Sequence, residues 1–245
     1  MTAHYALRMI VEGNRRGEQI GIPSWCTAHP LTLRAILEAH RYDDEPILIE
    51  ASGDQVNQFG GSSGLTPATL RMLVENIADE TDVDPRRIIL GGHQLGPGPW
   101  KNRSASVASE LSRDMVKAHV EAGFTKLHFD ASAADGGDTK ASEQTEAERI
   151  AGLCAVAEGS RAKGATMACV LEAKPRRQER GQGRETHPHD GLSVTRPDDV
   201  VRCVDLHRSA FETQGIADTT KSSFIGRNSL PAGRLQRPTI SQPKS

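Results

Sequence analysis

The chain contains no run of 18 apolar residues, which excludes a membrane-crossing helix as its organising feature. Its opening stretch, MTAHYALRMIVEGNRRGEQ, lacks the apolar core of a secretory signal. Four cysteines (Cys26, Cys154, Cys169 and Cys203) are scattered, with no CxxC. That excludes a zinc ribbon and fits reduced thiols in a cytoplasmic protein better than a disulfide framework. GxSxG, HExxH, GxGxxG and GxxxxGK[ST] are all missing, which weakens hydrolase, metalloprotease, dinucleotide-enzyme and Walker-type readings. There is no excess of charge either. Thirty Lys and Arg face 32 Asp and Glu, for a net charge of −2, so charge gives no reason to expect nucleic-acid binding. Hydrophobic residues make up 36% of 245, enough for one sizeable domain or two small ones.

What is present is an alternation. Short apolar runs over 20–26, 46–51 (PILIEA), 87–91 (RIILG), 126–130 (KLHFD) and 167–171 (MACVL) read as buried parallel strands. Helical patterns separate them, over about 31–40, from Thr66-Pro67 onward, 105–122 and 143–162. Thr66 is a natural N-cap, Pro67 suits the first helical position, and Gly123 and Gly164 are stop signals. Strand starts recur every ~25 to ~40 residues, the scale of βα units with right-handed crossovers. The expected class is α/β, of the (β/α) TIM-barrel type. Five units use about 170 residues, and eight at that rate need roughly 275, so an incomplete barrel of about five βα units plus one further helix is expected.

Composition divides the chain into four stretches. Residues 1–172 form the partial barrel. Residues 173–191 hold no Val, Ile, Leu, Met or Phe and read as a polar loop or disordered insert. Residues 192–217 carry a helical segment opening near Thr195-Arg196-Pro197. Residues 218–245, with five basic residues and one acidic one, read as a disordered basic tail.

Polar residues gather where the strands end. His29 follows strand 1, with Glu50, Ser52, Gln55, Asn57 and Gln58 after strand 2. His93 and Gln94 follow strand 3, Asp130 and Ser132 strand 4, and Glu172 strand 5. In a barrel these ends share one rim, the active-site face. Each residue alone reads equally well as a helix cap or a loop hydrogen-bonder. His29, Glu50, Gln55, Asn57, Gln58, Gly60, Gly61 and Ser132 are the expected substrate-binding residues, and His93 and Asp130 the catalytic candidates. Gln55, Asn57 and Gln58 suit a hydroxyl-rich ligand. The glycine-rich run Gly60–Gly64, leading into a helix, is either a phosphate cradle or a flexible turn. His128, two residues before Asp130, shares its face. No metal site is assigned on this chain. His93 reads as a hydrogen-bonded histidine, and His187-Pro188-His189 as incidental composition.

The blocks CTAHP, LIEASGDQVNQFGG, Gly64-to-Pro67, RIILGGHQLGP and KLHFDAS resemble, in order, the non-catalytic Z-type subunit family of class II D-tagatose-1,6-bisphosphate aldolase, many members of which are also labelled tagatose-6-phosphate kinase. The resemblance covers residues 10–172 and 192–216. It implies an (α/β) barrel in tagatose 6-phosphate and galactitol-type catabolism. It further implies a catalytic aldolase subunit as partner, zinc on that partner and no cofactor on this chain, with a sugar phosphate as the class of ligand. Two departures stand out. Where the family reads GGDHLGP this chain reads GGHQLGP, so His93 and Gln94 replace an Asp-His pair. The apolar stretch expected after strand 5 is replaced by AKPRRQERGQGRETHPHD. Frame disruptions near codons 173 to 190 and after about codon 218 would explain the apolar-poor segments and leave a truncated product. Such a fragment would expose a strand edge and an apolar inner face, so it should aggregate or need a partner. A stand-alone sugar-phosphate enzyme, such as the kinase, and a non-functional remnant are the alternatives.

Overall fold

The computed structural model describes residues 3–132, 142–162, 167–172, 197–216 and 224–226. Strands and helices alternate as the sequence predicts. Helix α1 (Ala3–Arg15) leads to strand β1 (Ser24–Cys26), α2 (Pro30–Ala39), β2 (Ile47–Ser52), α3 (Pro67–Glu80) and β3 (Ile88–Leu95). Then come α4 (Ala105–Glu121), β4 (Lys126–Phe129), α5 (Glu143–Ser160), β5 (Ala168–Glu172), α6 (Pro197–Thr213) and β6 (Phe224–Gly226). All six strands lie in one sheet in chain order, each parallel to its neighbour. Among the described residues β1 and β6 are the two edges, so the ring is not closed.

Local chemistry sets the helix boundaries. The Thr66 side chain accepts from the Thr69 backbone N–H, while the Thr69 hydroxyl accepts from the Thr66 N–H, with Pro67 in the first turn. The Ser142 hydroxyl accepts from the Thr145 N–H, ahead of Glu143 and Glu146. Gly123 ends α4 with φ of 84°. Gly164 lies outside the described residues, as do 173–191 and all of 218–245 except β6.

Four boundaries differ from expectation. Strand 1 is confined to Ser24–Cys26, just after Pro23, which has no N–H to donate to a ladder. Strand 3 continues to Leu95 through a register shift between Gly92 and Leu95. Helix α1 was not expected. Strand β6 falls within the stretch read as a disordered basic tail, and pairs Val170, Leu171 and Glu172 with Phe224, Ile225 and Gly226.

The two faces of the sheet have different cores. Helices α2 to α6 cover the outer face, where Ile47, Ile49, Leu127 and Phe129 meet Leu33, Leu70, Met115, Ile150 and Phe211. On the inner face α1 contributes Ala6 and Leu7 to a small cluster with Leu48 and Ile89. Above that cluster, toward the carboxyl ends of the strands, the inner face turns polar.

One core residue gives the fold a pH dependence. His119 on α4 is fully buried, its ring lying edge-on to Phe124. Its Nδ1 donates to the Met115 carbonyl at 2.8 Å, and Nε2 has no partner. Burial drives its pKa down to about 4, against the hydrogen bond to Met115. The unfolded chain therefore binds the extra proton first. His119 contributes its full share of stability above about pH 6.5, and loses it as pH falls through about 4. Urea titrations between pH 7 and 4 should show stability falling, at up to ~1.4 kcal/mol per pH unit from this residue. A His119→Leu chain should show a shallower slope. An unchanged slope would place the acid sensitivity elsewhere.

Candidate functional site

The polar part of the inner face is built from β1 to β4. Side chains alternate along a strand, so Glu50 on β2, His93 on β3, and Lys126 and His128 on β4 face inward. The sheet register puts Glu50 beside Gly91 and Gly91 beside Lys126. Gly91 is needed there, because a Cβ at that position would lie 2.9 Å from Glu50 Cγ and Oε1. That gap admits a buried carboxylate, and Glu50 is only 2% exposed. Glu50 Oε1 is paired with the Lys126 ammonium, and Oε2 accepts from the Ser24 hydroxyl.

Beside this ion pair stand two histidines. His93 Nδ1 is 4.0 Å from Glu50 Oε2 and 3.1 Å from His128 Nδ1. The Gln94 backbone N–H donates to His128 Nδ1 at 3.4 Å. That makes His128 Nδ1 the acceptor and His93 Nδ1 the protonated donor. Gln94 reaches this position because its φ is +50°, at the register shift where β3 passes His128 on β4. Burial first, then Lys126 and His93, push the His128 pKa down to about 4, although Glu50 and Asp130 oppose the shift. The result is a neutral His128 imidazole, hydrogen-bonded to His93, next to the Glu50–Lys126 ion pair. Such a set can hydrogen-bond hydroxyls and pass a proton between neighbouring groups.

The other expected residues separate into distinct roles. Asp130 accepts from the backbone N–H and hydroxyl of Ser132, at 2.9 and 2.5 Å, and its own N–H bonds Leu95 O across the β3–β4 rim. Gln55 folds back, its Oε1 accepting from the Ser52 N–H at 3.0 Å with the Cys26 sulfur 3.8 Å away. His29 is exposed at the N-cap of α2. Asn57 and Gln58 do not reach the inner cluster. Gln58 Nε2 donates to the Leu111 carbonyl on α4. Asn57 is buried, donates to Gly53 O at 3.0 Å, and accepts from the N–H groups of Phe59 and Gly61.

Those last bonds decide the character of the glycine-rich run. The N–H groups of Phe59, Gly60, Gly61, Ser62 and Ser63 all donate within the loop. Gly60, Gly61 and Gly64 take positive φ to close it. These bonds support the reading as a turn, because the N–H groups of 59–63 are already engaged within the loop. Asn57→Ala should therefore act on stability. Losing three hydrogen bonds at a buried side chain is expected to cost ~1–3 kcal/mol in urea unfolding. A loss below about 0.5 kcal/mol would mean that the loop does not depend on Asn57.

Lys126 was missed by reading strand ends, since it begins its strand. The Lys-x-His-x-Asp spacing, which places it on the face of His128 and Asp130, was the available signal. Among the described residues no group of three His, Cys, Asp or Glu side chains stands together to hold a metal ion. The His93–Gln94 pair does not change that: His93 turns to His128 and Glu50, while Gln94 is exposed. No described helix is long and apolar enough to cross a membrane.

Comparison with known proteins gives a consistent result. The family described as D-tagatose-1,6-bisphosphate aldolase subunit GatZ/KbaZ-like matches residues 7–226. Proteins named D-tagatose-1,6-bisphosphate aldolase subunit GatZ, from Escherichia coli and from Shigella flexneri, are each 38% identical over 215 residues. Each alignment covers 86% of this chain and 50% of the relative. A solved structure described as a probable tagatose 6 phosphate kinase from Sinorhizobium meliloti 1021 superposes with a TM-score of 0.72 at 36% identity. It covers 85% of this chain and 48% of the other. The chain thus spans about half the length of the relatives it matches.

Proposed function

The chain belongs to the GatZ/KbaZ-like family of D-tagatose-1,6-bisphosphate aldolase subunits, and from that premise we propose that it is the non-catalytic, stabilising subunit of a class II D-tagatose-1,6-bisphosphate aldolase. The reaction served is the reversible retro-aldol cleavage of a ketose bisphosphate to two triose phosphates, in the cytoplasmic catabolism of tagatose 6-phosphate and galactitol-type carbohydrates. The carbonyl-polarising zinc belongs to the catalytic partner chain in this reading.

The family match over residues 7–226 carries the proposal, and two features of the site support it. The loop amides of 59–63 are engaged internally, so they are not available as donors to a phosphate. The β1 edge presents Ser24, Trp25 and Cys26 as exposed residues, with Leu31 72% exposed in the first turn of α2 and Phe59 71% exposed in the loop after β2. An open edge beside exposed apolar side chains suits a chain that works in contact with another. Co-expression with an aldolase catalytic subunit should raise that subunit's soluble yield or its thermal midpoint. If neither changes, the stabilising role is wrong and a remnant without function is the better reading.

The name of the Sinorhizobium meliloti structure favours a second reading, a sugar-phosphate kinase. The missing GxxxxGK[ST] loop counts against it. Purified chain incubated with tagatose 6-phosphate and ATP should release no ADP above the blank. Release that depends on the sugar phosphate would establish the kinase instead.

A further inference from the structure

Cys154 on α5 and Cys169 on β5 are both buried. Their sulfurs stand 3.0 Å apart, about 1 Å longer than a disulfide bond. The pair lies in the outer core, on the face opposite the Glu50–Lys126–His93–His128 cluster, and nothing in the proposed function uses it. The other two cysteines sit apart from it, Cys26 beside Gln55 and Cys203 beside His207. We propose that Cys154 and Cys169 are a modification site, a thiol pair that closes to an intramolecular disulfide when oxidised by a peroxide. In the first step one thiol sulfur attacks the peroxide, the O–O bond breaks, and a sulfenic acid and water form. In the second step the other sulfur attacks the sulfenic sulfur, the S–O bond breaks, and the hydroxyl leaves with the remaining thiol proton as a second water. Two electrons pass from the sulfur pair to hydrogen peroxide, which ends as two waters. The neighbouring Cys154 sulfur, with burial second, raises the Cys169 pKa well above its ordinary value, so this residue rests as a thiol. The bond would fasten α5 to β5 across 15 residues of chain. The test is to treat the full chain with hydrogen peroxide, alkylate the remaining thiols in denaturant, and map peptides without reduction. Alkylatable thiols should fall from four to two, a linked peptide containing Cys154 and Cys169 should appear, and dithiothreitol should restore both. A Cys154→Ala chain should give no linked peptide. Both residues still alkylated, both recovered as sulfinic acids, or either linked to Cys26 or Cys203 instead would overturn the proposal.

Discussion

Replacing Lys126 with Ala should cost the fold about 3–5 kcal/mol of unfolding free energy at neutral pH, measured by urea denaturation. The size follows from what the ammonium leaves behind. Glu50 is 2% exposed, and its carboxylate is held by Lys126 on one oxygen and Ser24 on the other. The Lys126 side chain is itself only 12% exposed. Surface ion pairs such as Arg8–Glu12 or Arg208–Asp205 are worth little by comparison, because water already solvates both partners. At Glu50 removal of the cation strands a charge that water cannot reach. Adding Glu50→Gln to Lys126→Ala should recover much of the loss by removing the stranded charge. A single mutant within about 1 kcal/mol of the parent would mean that this pair is not buried as described.

The same pair marks where sequence reading stopped. The alternation of apolar runs and amphipathic stretches identified β1 to β5 and α2 to α6, because each unit buries a strand beneath its own helix and the signal is local. Helix α1 escaped because Ala6 and Leu7 pack on Leu48 and Ile89 inside the curved sheet, a partner that only the assembled strands provide. Lys126 escaped for a related reason. It is the first residue of β4, yet it lies level with Glu50, the fourth residue of β2, through the pairing of both with Gly91. That stagger is the shear of a barrel-like sheet, and no single strand's sequence encodes it. Asn57 and Gln58 show the opposite difficulty. Amide side chains suit a sugar, but they suit unpaired loop amides and a helix carbonyl equally well. Only the chain path after β2 shows that Asn57 closes its own turn and Gln58 ties to Leu111.

Gly96→Ala should be the most damaging of the glycine substitutions, and Gly98→Ala close to silent. A Cβ at Gly96 would fall 1.8 Å from the carbonyl oxygen of Asp130 and 2.9 Å from its carbon. Both are backbone atoms, so no rotamer change relieves the overlap. The ends of β3 and β4 must move apart, which strains the Asp130 N–H bond to Leu95 O at 3.1 Å and carries Asp130 and Ser132 with it. An expected loss above ~3 kcal/mol follows from overpacking against fixed backbone. At Gly98, two residues on, a Cβ meets nothing within 4 Å and φ is not positive. The cost of Gly98→Ala should therefore stay within ~0.5 kcal/mol. Gly91→Ala should fall between them, because the obstruction there is the Glu50 side chain, which can swing aside only by loosening its hold on Lys126. The order Gly96, Gly91, Gly98 in midpoint urea concentration tests whether the strand ends converge on one rim. Equal effects at Gly96 and Gly98 would separate β3 from β4 at their carboxyl ends, and with them His93 from Asp130.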